Sequence, residues 1–192
     1  MTTNPRLRWS QRPKLAPVST IRVATAADAS ALAELAAATF QLACPPEATA
    51  QAVADHLRDV LGERNFAAML ADPDRVVLVA QSEDGLRGYT VLAFEEPTDA
   101  DVTGVIGIRP TVELSKCYVL AASHGGGIAA ALMGATLQAA RERGAAGAWL
   151  GVNELNARAI RFYQKHGFAE VGRKTFALGG VLENDFVLER AL

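Results

Sequence analysis

Two strand–helix units in direct succession, over residues 111–167, constrain this chain more than any other feature. "TVELSKCYVL" (111–120) reads as a strand, and it runs into three glycines at 125–127 and a long alanine-rich amphipathic stretch ending at Arg143. "GAWLGV" (147–152) reads as a buried strand, and "NARAIRFYQKHG" (156–167) as a helix with Gly167 as its C-cap. Successive units of this kind predict two parallel neighbouring strands in one sheet. Ligands of such sheets bind at the carboxyl ends of the strands, where neighbours splay, and the glycines stand at that end.

The rest of the chain extends the same sheet. "TIRVA" (20–24) predicts a short strand, and "ADASALAELAAATF" a helix opened by Asp28 as N-cap, with Leu32, Leu35 and Phe40 on one face. Helical patterns follow at 49–62 and in "NFAAMLADP", the latter closed by Pro73. "RVVLVAQ", the turn "EDG" and "LRGYTVLAFEE" predict a hairpin. "PTDADVTGVIG" reads as an acidic loop, and the tail as two more strands around Gly179-Gly180. The order β-α-α-(α)-β-β-β-α-β-α-β-β describes one mixed domain over 20–192. Residues 1–19, with Arg6, Arg8, Arg12 and Lys14 among three prolines, read as a solvated, poorly ordered basic arm, although Trp9 could dock on the body or on a second subunit.

Bulk properties exclude several classes of function. At 192 residues, half of them hydrophobic and 21% charged, the chain has the composition of a globular domain. A net charge of −2 gives no reason to expect a nucleic-acid partner. No apolar run approaches the roughly 20 residues that span a bilayer, and "MTTNPRLRWSQRPK" lacks the apolar core of a secretory signal. Cys44 and Cys117 cannot build a disulfide framework and lack metal-ligand spacing, so the expectation is a cytoplasmic protein with no metal site.

A glycine-rich turn at a helix start offers free N–H groups and the positive end of the helix dipole, which suits an anion such as a phosphate. A tight strand–helix connection without any ligand explains the glycines equally well. No Lys-Ser/Thr follows them, which excludes a Walker-type loop, and no G-x-G-x-x-G occurs, which excludes a dinucleotide fingerprint.

Downstream residues decide between the two. His124-Gly125-Gly126-Gly127-Ile128-Ala129 resembles the R/Q-x-x-G-x-G/A pyrophosphate loop of the GNAT superfamily of acyl-CoA N-acyltransferases. Leu150, Val152, Asn156, Ala159, Ile160, Phe162, Tyr163, Gly167 and Phe168 fill every position of that family's L-x-V-x-x-x-N-x-x-A-I-x-F-Y-x-x-x-G-F segment. The resemblance spans about 20–192. It implies an α/β (α+β) fold with a central, mixed, mostly antiparallel seven-stranded twisted sheet flanked by about four helices. It also implies acetyl-CoA as co-substrate, a small-molecule amine acceptor and a homodimer.

The resemblance assigns residues as well. Tyr163 takes the leaving-group position, where a phenol bonds the coenzyme A sulfur and protonates it; packing beside Phe162 is its structural alternative. Asn156 and Ala159 fall where the family contacts the cofactor, and Asn156 also suits an N-cap. Tyr118, Val119 and Leu120 end the strand whose backbone N–H groups face the thioester carbonyl. Glu113 lies where several members carry the base that deprotonates the amine, directly or through water, or else it is a strand-edge charge facing water. Cys117 shares Glu113's strand parity and is expected on the same face, as a small strand residue rather than a nucleophile. The departure is His124, in place of Arg or Gln, whose help to an anion would depend on its protonation unless it is simply a solvated loop residue.

The tail "WLGVNELNARAIRFYQKHGFAEVGRKTFALGG…ND" is similar to the PaiA-like spermidine/spermine acetyltransferases, through Trp149, Glu154, Phe176 and Asp185. That branch implies a polyamine acceptor, for which Glu95, Glu96, Asp99, Asp101 and Asp185 are candidate carboxylates, of which Glu95 and Asp185 are favoured. A solvated acidic loop accounts for the same residues, and Arg109 beside them weighs against a purely cationic ligand. Protein N-terminal, amino-acid or drug amines are alternative acceptors, and a non-catalytic coenzyme A-binding regulatory module is the reading outside enzymology.

Overall fold

The computed structural model describes residues 20–40, 49–178 and 181–192. Cys44, Trp9 with the basic arm, and the Gly179-Gly180 turn lie outside the described residues. The strands are β1 (Thr20–Val23), β2 (Arg75–Ser82), β3 (Gly85–Ala93), β4 (Thr111–Val119), β5 (Gly147–Asn153), β6 (Ala169–Leu178) and β7 (Val181–Ala191). They form one seven-stranded sheet in the order β1-β2-β3-β4-β5-β7-β6. Every neighbouring pair is antiparallel except β4 and β5, the parallel pair expected from the two strand–helix units.

Among the described residues the helices are α1 (Ala29–Phe40), α2 (Ala50–Asp59), α3 (Glu63–Ala71), α4 (Ala100–Thr103), α5 (Ile128–Glu142) and α6 (Ala157–Lys165). Five span nine residues or more, against the four or so expected. The additional element, α4, is a single turn inside the stretch read as loop, where the Asp99 side chain accepts the Asp101 N–H at 3.0 Å. Local hydrogen bonding by the Asp side chain is enough to close one turn even though Asp, Val and Thr are weak helix formers. Asp28 likewise acts one turn differently from the expected N-cap. Its carboxylate accepts the Thr25 N–H at 2.7 Å and pairs with Arg22 at 2.7 Å, closing a capping box ahead of α1.

The sheet buries both faces. Val77, Val79, Tyr89 and Val91 pack with Leu32, Leu35 and Phe66 of α1 and α3. On the opposite face Leu92, Val112, Leu114 and Leu150 pack with Met133 and Leu137 of α5. Each fully buried side chain of this size contributes about 1.5–3 kcal/mol. One polar pair is admitted to that interior. The Thr90 and Thr136 hydroxyls meet at 2.7 Å, and Thr136 Oγ1 also lies 2.7 Å from the Leu132 carbonyl, so both are satisfied.

Candidate active site

The parallel pairing of β4 and β5 is short. It runs from Thr111 opposite Gly147 to Glu113 opposite Trp149, after which β4 continues to Val119 and β5 to Asn153 without a ladder between them. The strands part into a wedge, and a cleft of about 450 Å³ occupies it. Volume of this order suits a small-molecule site.

The wedge exposes backbone. The Leu120 N–H donates to the Arg87 carbonyl of β3 at 2.9 Å, while Cys117 stands opposite Thr90 and Val119 opposite Gly88. Because backbone groups alternate along an antiparallel strand, the N–H and C=O of Cys117 and Val119 point away from β3, into the wedge. An open strand edge accepts an extended ligand that carries amides. The Val119 carbonyl is already engaged, with His124 Nε2 at 3.0 Å. A carbonyl can only accept, so Nε2 carries the hydrogen, and a neutral imidazole supplies it. The ring therefore turns back onto the strand, a contact that does not depend on a charged imidazole.

Gly125 and Gly127 have φ of +83° and +78°, and a Cβ on either would meet nothing within 4 Å. Left-handed backbone favours glycine, and the open space lets a ligand approach the main chain. The Gly127 carbonyl accepts the Ala131 N–H at 2.9 Å, so α5 begins here with its first-turn N–H groups turned outward. Gly125, Gly126, Gly127 and Ile128 link His124 to Ala129, both of which line the cleft. Tyr118, Val119, Asn156, Ala159, Phe162 and Tyr163 line it as well. Leu120 does not; its amide is held by Arg87 and its side chain packs toward α1.

Asn156 caps α6, its side chain accepting the Ala159 N–H at 3.0 Å, while facing the cleft. Two helix turns on, the Tyr163 phenol faces the Cys117 thiol across the cleft, close enough for each to act on the other's titration. Burial holds the Tyr163 phenol well above its ordinary value, so it stays protonated. Burial also pushes the Cys117 thiol up to about 12, which leaves it a neutral thiol rather than a nucleophilic thiolate.

Glu113 and Cys117 both line the cleft but on opposite faces of β4, contrary to the parity expectation. Leu92 pairs with Leu114 and Val91 with Lys116, so Ser115 is an extra residue in the strand. The bulge inverts the alternation after Leu114. It places Cys117 with Leu114 on the α5 and α6 face, and Lys116 with Glu113 on the face of α1 and α2. Burial raises the Glu113 carboxyl above the usual range, against the lowering influence of Lys174, Lys116 and Arg75.

The acidic candidates separate. Asp185 lines the cleft and is 9% exposed, and burial raises its carboxyl as well. Glu95 lies outside the lining and pairs with Arg75 at 3.3 Å; Glu96 pairs with Arg109 at 3.1 Å. Asp99 caps α4 with Asp101 in its first turn. The "EEPTDAD" carboxylates thus have partners or local structural duties. The cleft adds residues that sequence reading passed over: the cations Lys116, Arg158 and Lys174, and His56, whose ring burial and the Lys116 charge push toward the neutral form. Lys174 was accessible in principle, because a hairpin folded about Gly179-Gly180 sets it opposite Asp185, the register observed.

Comparison with known proteins follows from this geometry. Residues 32–168 match the profile of the Acetyltransferase (GNAT) family. An "Uncharacterized N-acetyltransferase" of Mycobacterium tuberculosis is 43% identical over 165 residues, covering 86% of this chain and 98% of the relative. Among solved structures, the PaiA N-acetyltransferase of Thermoplasma acidophilum in complex with coenzyme A superposes with a TM-score of 0.72 at 18% identity, covering 90% of this chain and 98% of that one. A ribosomal-protein-alanine N-acetyltransferase of Brucella melitensis gives 0.67 at 26% identity, covering 90% and 99%. The likeness to the PaiA protein, at that identity, speaks to the fold.

Proposed function

Since the chain belongs to the acetyltransferase (GNAT) family, we propose that it transfers the acetyl group of acetyl-CoA to a primary amine by direct attack within a ternary complex. The observation that carries the reading is the parted β4–β5 edge, with the glycine loop at one end and Tyr163 across it. The left-handed glycines and the start of α5 would hold the pyrophosphate, and the Cys117 and Val119 backbone groups the amide-bearing arm. Acetyl-CoA supplies an activated acyl group and a thiolate leaving group.

The roles of the chain's own residues then follow. Glu113 accepts the proton that the amine must lose, a task suited to a carboxyl raised toward neutrality by burial. The Val119 N–H stabilises the carbonyl oxygen as it gains negative charge. As the new C–N bond forms and the C–S bond breaks, Tyr163 gives its hydroxyl proton to the departing sulfur. Cys117 takes no covalent part. A polyamine acceptor would draw on Glu113 and Asp185, the carboxylates that line the cleft. The same proposal includes a cytoplasmic setting, resting on the two-cysteine content, and a homodimer, resting on the family resemblance. No helix among the described residues is long and apolar enough to cross a membrane.

Thiol release from acetyl-CoA over a panel of amines tests the reading. Turnover with at least one primary amine is expected; tight coenzyme A binding with no turnover on any amine would replace it with a non-catalytic binding module.

A further inference from the structure

The acceptor end of the cleft carries charges that do not cancel among themselves. Glu113 and Lys116 share one face of β4 after the bulge, with His56 of α2 close enough for the Lys116 charge to act on its ring. On the β6–β7 wall, Lys174 stands directly opposite Asp185 in the ladder, and both lean over Gly151. A Cβ at Gly151 would lie 2.6 Å from Lys174 Cε, 3.4 Å from its Nζ and 3.2 Å from Asp185 Oδ2. Glycine at 151 leaves the lysine's end in this position, and a side chain there would push it aside.

Among the described residues the ion pairs involve neither Glu113, Lys116, Lys174 nor Asp185. The Lys116 ammonium makes, among the described residues, one hydrogen bond, a long one of 3.4 Å to Ser115 Oγ. The two lysines act on Glu113 from separate walls, and Lys174 and Lys116 are the strongest charges it feels. Partly buried, unpaired charges of both signs are costly to maintain unless a ligand completes them. A purely cationic ligand would complete the two carboxylates and be repelled by the two lysines.

We infer that the acceptor is zwitterionic: a primary amine that meets Glu113 and, a few bonds away, a carboxylate that meets Lys116 or Lys174. The inference rests on the acetyltransferase reading and deepens it, by naming free amino acids and related amino carboxylates as the substrate class. It also separates the site from one built for a polyamine, since the carboxylates of the 95–101 segment are engaged elsewhere.

Matched pairs differing by one carboxylate provide the test: lysine against cadaverine, ornithine against putrescine, phenylalanine against phenethylamine, with spermidine alongside. The intact enzyme is assayed for thiol release with acetyl-CoA, and the same amines are titrated calorimetrically into its coenzyme A complex. The carboxylate-bearing members are expected to show kcat/KM higher by about tenfold or more, the scale of one charge-assisted contact. Lys174→Met and Lys116→Met should each bring that ratio toward one, and Lys174→Arg should retain most of it. Preference for the decarboxylated members or spermidine, or a ratio untouched in both Met variants, overturns the inference while leaving acetyl transfer intact. Calorimetric preference without turnover on any amine would uphold the zwitterion site and overturn the enzymatic reading instead. Absence of both turnover and amine binding overturns both.

Discussion

The Tyr163 phenol of α6 and the Cys117 thiol of β4 face each other across the wedge and pack against one cluster, close enough for each to act on the other's titration. A neutral sulfur thus already stands beside the phenol to which, on the proposed reading, a departing thiolate would come. The phenol ring is held by Phe162 and Phe168, its ring neighbours at 5.6 and 5.9 Å. Tyr163→Phe keeps those packing contacts and removes only the donor. Steady-state kinetics should show kcat reduced by roughly a hundredfold, the lower end of general-acid contributions. The dissociation constant of coenzyme A should change little. Unchanged kcat would remove Tyr163 from the chemistry. Cys117→Ala should leave kcat within about tenfold, because the thiol forms no bond to the acyl group.

Glu113 places catalysis and stability in opposition. Its folded-state carboxyl titrates above the ordinary range because burial disfavours the charge. The rate should therefore rise with pH as Glu113 ionises, and Glu113→Gln should abolish that rising limb along with most of the turnover. The stability effect has the opposite sign. A group whose folded pKa is raised contributes stability below its unfolded value, and this is lost as pH rises through the folded value. Near pH 8 the glutamine variant, free of a buried charge, should melt a few degrees higher than the parent, and near pH 4 the difference should vanish. A lower melting temperature at both pH values would show Glu113 to be a stabilising partner of the lysines instead.

Asp28 titrates in the contrary direction. The Arg22 guanidinium and the Thr25 N–H hold its carboxyl well below the usual carboxylate range. A depressed pKa contributes stability above the unfolded value, near pH 4, that is lost as pH falls through the folded one. Asp28→Asn should lower the melting temperature by a few degrees at pH 7, consistent with a lost partly buried ion pair and cap. Thermal scans at pH 2 should bring the two proteins closer together. A gap that does not narrow in acid would mean that the pair contributes through packing rather than charge.

The sequence made some of this legible and hid the rest for identifiable reasons. The helix after the glycines and the Asn156 cap are local features, and the parallel β4–β5 pair follows from two strand–helix units in succession. The Ser115 bulge is different. Nothing in "VELSKCYV" marks which residue β3 leaves unpaired, so parity counting put Cys117 with Glu113, whereas the bulge puts Lys116 there. Pairings between distant segments, such as Arg75 with Glu95, depend on how the hairpin closes and were equally invisible. Lys174 lies between. Its register opposite Asp185 follows from hairpin symmetry, but its entry over Gly151 requires β5 beside β7.

Gly127 links the opening sequence feature to a measurable affinity. Its φ of +78° is a conformation that costs an L-residue roughly 1–2 kcal/mol, and it is the residue from which α5 starts. Gly127→Ala should therefore lower the melting temperature by a few degrees. Because the added methyl meets no protein atom within 4 Å, crowding inside the fold adds nothing to that loss. The methyl instead stands where a bound anion would approach the main chain. Calorimetric titration should show coenzyme A binding weakened by about tenfold or more, the loss of one charge-assisted backbone contact. Dephospho-coenzyme A, which keeps the pyrophosphate, should lose affinity in the same proportion. Pantetheine, which has no phosphate, should bind parent and variant alike. An equal loss for pantetheine would mean that the substitution had displaced the loop and the β4 edge together, and that the glycines serve the strand–helix connection rather than a phosphate.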